Sequence, residues 1–153
     1  MKTKTLVTIT ILISLLVLAS PVSAASKPMD VNIISPLNTT TQTGTFTASG
    51  PAVDAGLICP SGDVIDMEGK VAGNFDNGFI NLRVKKLFVC DDSSGTFDVY
   101  MNVKVYFDPP YSTAIWRIAG GTGDYATLKG AGSLVGEPLN EFEILDIYDG
   151  KVH

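Results

Sequence analysis

The chain is poor in the residues from which most catalytic sites are built. Its 153 residues include one histidine, His153 at the last position, two cysteines and one tryptophan. A lone terminal histidine offers no Ser-His or Cys-His pair, and no G-x-S-x-G elbow occurs, so nucleophilic hydrolysis has no constellation to use. A metal site needs more soft or imidazole ligands than the two cysteines, so no metal is expected. Paired acids exist at Asp63, Asp66 and Glu68 and at Asp91 and Asp92. Acid–base work would need one of a pair to be raised in a cleft, whereas loop and hairpin acids are ordinarily solvated. Asp91-Asp92-Ser93-Ser94-Gly95 is too short and irregular for a calcium loop. No cofactor is implied. Past the N-terminal region there is neither a long apolar run nor a stretch with the 3.6-residue period of an amphipathic helix.

What is present starts with a leader. Lys2 and Lys4 precede an apolar run from Leu6 to Leu18, followed by Pro21 and Val22-Ser23-Ala24-Ala25. A basic start, a short apolar core and small residues at the cut are what signal peptidase reads. Residues 1–25 are therefore expected to be a signal peptide, cleaved after Ala24 or Ala25. The alternative, a retained anchor, has too short a core for the ~20 residues that span a bilayer. The mature chain is expected to be secreted, extracellular or periplasmic, with no membrane association after cleavage. Removing Lys2 and Lys4 leaves nine basic against sixteen acidic residues, net −7. That balance argues against nucleic acid as a partner, because phosphates need a basic patch. Export also places Cys59 and Cys90 where an even count favours a disulfide, the alternative being two buried free thiols.

Residues 26–44 are rich in Ser, Thr, Asn and Pro and read as a flexible lead-in, with Val31, Ile33 and Ile34 able to form a short strand. Asn38-Thr39-Thr40 is a glycosylation sequon, usable only where the source cell has the machinery. From residue 45 the period is two. Phe97, Val99, Met101, Val103, Val105 and Phe107 alternate with polar partners, the pattern of a strand with one buried face. Ile80 to Cys90 reads as the strand before it. Lys85-Lys86 interrupts that alternation, and a bulge there would restore the phase. Residues 91–95 read as the hairpin turn, and Pro109-Pro110 as the end of the long strand. Further strands are expected at 45–50, 52–58, 64–71, 113–119, 128–136 and 142–149. Many short strands with turn signals between them predict an all-β sandwich or closed barrel.

The most distinctive segment runs from Trp116 to Gly132. Within it Gly121-Thr122-Gly123-Asp124-Tyr125-Ala126 matches G-x-G-x-x-G/A. That fingerprint must open a helix to hold a pyrophosphate, and Gly130 and Gly132 leave no room for one, so dinucleotide binding is set aside.

A strand ending in W-x-I-x-G-G-T-G, here Trp116 to Gly123, then an aromatic and a short segment ending in Gly, resembles the allene oxide cyclase and dirigent barrel group. It is most similar to uncharacterised secreted members, which carry a Cys as in Leu57-Ile58-Cys59-Pro60 and a second before an acidic hairpin as in Phe88-Val89-Cys90-Asp91-Asp92. The resemblance covers 45–153. It implies a small antiparallel closed β-barrel of about eight strands with an apolar central cavity. It makes Gly120, Gly121 and Gly123 the structural turn at one rim, where glycine reaches backbone angles closed to other residues. Trp116, Thr122, Asp124, Tyr125 and Lys129 become the candidate cavity and rim residues. Dirigent proteins hold an Arg where this chain has Lys129, which keeps the charge and loses the planar fork.

Ala114, Trp116 and Ile118 share one strand face. Core filling is the plainer role for Trp116 and cavity lining the second. A rim turn is the plainer role for Asp124 and Tyr125. Tyr100 and Tyr106 lie on the polar face of the long strand, where cross-strand pairing is their default and partner contact the alternative. Three functions are expected from this reading. The first is a secreted barrel, non-catalytic or of unknown activity, that holds a small apolar molecule. The second is a cyclase-like isomerase or dirigent-like guide of radical coupling using Asp124 and Lys129. The third is an extracellular surface or matrix protein working through its outer strands.

Overall fold

A computed structural model describes residues 27–72 and 78–153. The expected signal peptide, with its cut after Ala24 or Ala25, lies outside the described residues. Eight antiparallel strands form a closed barrel in which each strand pairs with its sequence neighbour and the last returns to the first. They are β1 (Met29–Asn38), β2 (Thr43–Ser49), β3 (Ser61–Val71), β4 (Phe79–Cys90), β5 (Gly95–Phe107), β6 (Pro110–Gly123), β7 (Lys129–Pro138) and β8 (Glu143–Val152). The expected fold class, a small all-β closed barrel of about eight strands, is the one observed.

Period-two patterning explains the interior. In β5 Phe97, Val99 and Met101 are buried, and in β6 Ala114, Trp116 and Ile118 are buried, with polar or exposed residues between. Aromatic side chains fill much of the inside. Phe88 stacks on Phe97 with centroids 4.8 Å apart, Phe46 meets both edge-on, and Tyr148 meets Phe88 and Trp116. Trp116 fits because its neighbours are small. A Cβ on Gly150 would lie 2.5 Å from Trp116 Cζ2, and one on Gly132 2.7 Å.

Three expectations are corrected. The lead-in 26–44 is not a tether. Val31, Ile33, Ser35 and Leu37 are buried on alternate positions of β1, which pairs with both β2 and β8 and completes the ring. The barrel therefore starts at Met29 rather than at residue 45. Its polar composition reflects the outward positions and the hairpin, where Asn38 Oδ1 accepts from the backbone N–H of Thr40 and Thr41, each at 2.9 Å. The strand expected at 52–58 is instead a short helical turn, α1 (Pro51–Asp54), with Pro51 opening it and Ala52 and Ile58 buried in the core.

The third correction concerns Lys85-Lys86. Their strand keeps its phase through the pair: Phe88 and Cys90 are buried and so is Lys86, which stays on the inward face. The irregularity falls on the partner strand, where Asp66 pairs with Lys86 and Glu68 with Lys85, leaving Met67 as the extra residue. Cys59 and Cys90 form a disulfide, tying the segment after α1 to the end of β4.

Candidate functional site

The residues singled out at the glycine corner do not converge. Trp116 is 1% exposed and donates its indole N–H to Ser133 O at 2.8 Å, so it serves as core. Thr122 is exposed and shares a 2.9 Å hydrogen bond with Thr96 Oγ1 across the β5–β6 hairpin end. Tyr125 is buried edge-on against Phe97, its hydroxyl 2.8 Å from Ser94 Oγ. Asp124 and Lys129 are both exposed. Lys129 lines a shallow depression on the outer wall, which Asp124 does not reach.

Two of the three glycines take left-handed angles. Gly120 (φ 103°) lies in a bulge of β6 opposite Asp98, and Gly123 has φ 59°. Gly121 is needed for a different reason: a Cβ there would overlap Thr96 O and lie 2.8 Å from Phe97 Cα.

Sequence reasoning missed the polar cluster inside the barrel. Lys86 reaches from β4 to β8, placing Nζ 2.7 Å from Asp146 Oδ2, with both side chains at most 4% exposed. Asp66 Oδ1 lies 3.2 Å from the same nitrogen as an ion-pair contact without hydrogen-bond alignment. Burial raises the Asp66 carboxyl above the ordinary range against the opposing pull of Lys86, and Asp146 adds to the rise. The register places Ser35 beside Asp146, and also Gly136, where a Cβ would lie 2.9 Å from Asp146 Oδ1. Tyr148, two residues along β8, is fully buried. Its phenol is pushed well above 10.0, chiefly by burial and then by the charge of Asp146. Ser35 Oγ and Tyr148 Oη are buried without a hydrogen-bond partner. A signal existed in the sequence: a lysine at an inward parity position demands an inward acid, and Asp146 stands between Ile144 and Tyr148 on the inward face of β8.

The outer wall carries a second arrangement. A groove of about 740 Å³ crosses β3 to β7. One row of paired residues runs through it from strand to strand: Glu68 to Lys85, Lys85 to Tyr100, Tyr100 to Arg117, and Arg117 to Ala131. The Lys85 ammonium is 5.5 Å and the Arg117 guanidinium 5.0 Å from the Tyr100 ring centroid. Asp98 sits 3.1 Å from Lys85 and holds its ammonium above the ordinary range. Lys70 and Arg83 line the same groove, and Ile115 in it is 73% exposed. The depression that includes Lys129 shares Arg117 and Ala131 with it and continues to Lys151 and His153. Among the described residues, no three His, Cys, Asp or Glu side chains cluster as a metal ion would require.

Comparison of the chain with family models, with curated proteins and with solved structures returned no match. Fold and site therefore define the chain's class: a closed eight-stranded antiparallel β-barrel with a disulfide, a buried ionic cluster and a basic outer groove.

Proposed function

We propose that this chain is an exported β-barrel binding protein that works through its outer wall and takes an acidic polysaccharide in the groove around Tyr100. One observation carries the reading: two cations held against a single aromatic ring, in a groove of about 740 Å³, on a chain with an excess of acidic residues. Lys85, Arg117 and Lys151 occupy alternate strands of one cross-strand row. Strand spacing puts such positions about 10 Å apart, which suits a polymer bearing one acid group per disaccharide. Ile115 and Ala131 add apolar surface for the non-polar faces of sugar rings. The reading develops the surface-interaction expectation, in which Tyr100 is a contact residue.

The other two expectations have less support. Trp116, Tyr148, Phe46, Phe88 and Phe97 occupy the interior that an apolar ligand would need. A cyclase or dirigent chemistry would need Asp124 and Lys129 to face a common cavity, and the depression that Lys129 lines does not include Asp124. The resemblance to the allene oxide cyclase and dirigent group rests on the motif residues, and the barrel is the fold it implies.

The test is affinity electrophoresis of the mature protein through gels containing hyaluronan, with neutral dextran as control. Retardation by hyaluronan alone is expected, weakening about tenfold in Lys85→Glu/Arg117→Glu and falling steeply with salt. Equal migration in the two gels, or retardation unchanged in the double variant, overturns the reading. Preferential binding of single-stranded DNA would replace the polysaccharide with a different anion.

A further inference from the structure

We infer that Lys86 and Asp146 are the two halves of an intramolecular amide cross-link that the folded barrel forms by itself, with Asp66 as the proton relay. Three features of the interior meet the needs of this reaction. The first is proximity. Lys86 Nζ lies 2.7 Å from Asp146 Oδ2, within reach of the carboxyl carbon that it must attack, and the barrel holds β4 and β8 in place around the pair.

The second feature is dryness. Both side chains are at most 4% exposed among Phe88, Tyr148 and Val99. A buried ammonium–carboxylate pair is costly to keep charged, and transfer of one proton turns it into a neutral amine and a carboxylic acid, the forms that condense. Exclusion of bulk water also removes the reactant that would reverse the step.

The third feature is a second carboxyl on the same nitrogen. Asp66 Oδ1 is 3.2 Å from Lys86 Nζ, and burial makes this carboxyl hold its proton more readily than an exposed one. Sharing the nitrogen with Asp146, it can take a proton from the attacking amine and pass one on toward the departing oxygen.

The balance is closed. The Nζ–Cγ bond forms and one Cγ–O bond of Asp146 breaks. The oxygen leaves as water, carrying protons that the amine and carboxyl began with, and Asp66 ends as it started. No oxidant, metal or activated donor is consumed. The two buried hydroxyls without partners, Ser35 Oγ and Tyr148 Oη, lie on the strands that carry and flank Asp146. They are available to satisfy the amide once it exists.

The test is the intact mass of the mature protein, reduced and denatured, followed by tandem mass spectrometry of its tryptic peptides. A chain one water lighter than its sequence is expected, with no cleavage after Lys86 and with the Lys86 and Asp146 peptides joined. Asp66→Asn keeps both reacting groups and is expected to have the full sequence mass. Asp149-Gly150 can lose water as a succinimide, which mild alkali reopens, so the lighter mass must survive alkali. A natively folded protein with the full sequence mass, or a deficit that alkali removes, overturns the cross-link. A cross-linked Asp66→Asn variant overturns the relay.

Discussion

Lys86 Nζ meets Asp146 Oδ2 at 2.7 Å across the inside of the barrel, although the two residues are 60 positions apart in sequence. Their strands are not neighbours in the ring, so this contact ties opposite walls together where the backbone ladders cannot.

Breaking that contact from one side is expected to be expensive. Lys86→Met leaves Asp66 and Asp146 without their shared cation inside the barrel, and a loss of about 3–5 kcal/mol is expected. The triple variant Lys86→Met/Asp66→Asn/Asp146→Asn removes the charges together and should recover most of it. Urea denaturation of the two variants beside Asp66→Asn, in which Lys86 and Asp146 stay an ion pair, checks the difference. Equal stability of the single and triple variants would mean that the charges are not what couples the walls.

Two groups give the stability a pH dependence of known sign. The Asp66 carboxyl is raised above its ordinary 3.8, so between that value and its folded value the native state binds more protons than the unfolded chain. Stability contributed by this group is complete below 3.8 and declines as pH rises through the folded value, and Asp66→Asn should flatten that part of the profile. Tyr148 acts at the alkaline end. Its phenol is raised well above 10.0, so stability falls once pH passes the point where the unfolded phenol ionises. Tyr148→Phe should remove that alkaline loss. Thermal melts across the pH range read both effects.

The Cys59–Cys90 bridge joins positions 31 apart in sequence. In the chain-entropy account this constrains the unfolded state by about 3–4 kcal/mol. Cys59→Ala/Cys90→Ala is expected to lower stability by that amount while keeping the strand content, with denaturation and far-ultraviolet circular dichroism as the measurements.

Gly150→Ala tests the cradle of the single tryptophan. The added carbon would meet Trp116 Cζ2 at 2.5 Å and Gly132 Cα at 2.8 Å. An overpacking loss of about 1–3 kcal/mol is expected, together with a shifted Trp116 emission as the ring is displaced. An unchanged spectrum and midpoint would show that the wall yields freely at this point.

The barrel was legible where side chains alternate without exception. Phe97 to Met101 and Ala114 to Ile118 declared their buried faces directly, and Pro109-Pro110 marked the hairpin between them. Reading failed where composition masked parity. β1 looked like a tether because Asp30, Asn32 and Pro36 fill positions between its buried Val31, Ile33, Ser35 and Leu37. The segment at 51–58 is apolar enough for a strand, yet Pro51 starts a helical turn there. A lysine ordinarily faces water, so residue type alone gives no sign that Lys86 points inward; here Asp66 on the neighbouring β3 and Asp146 across the ring on β8 make that position tolerable. Those partners, 20 and 60 residues away, belong to the fold and not to any local motif. The groove was half visible: Tyr100 stood out on the polar face, but the row that sets Lys85 and Arg117 beside it exists only after strand pairing.

The closure of the ring has a consequence for biogenesis. β1 is zipped along its whole length to β8, from Met29 opposite Val152 to Asn38 opposite Glu143. The first strand to emerge from the ribosome therefore waits for the last, and pairings this distant are slow to find. Until translation reaches β8 the ring stays open, with β1 and the latest strand as unpaired edges.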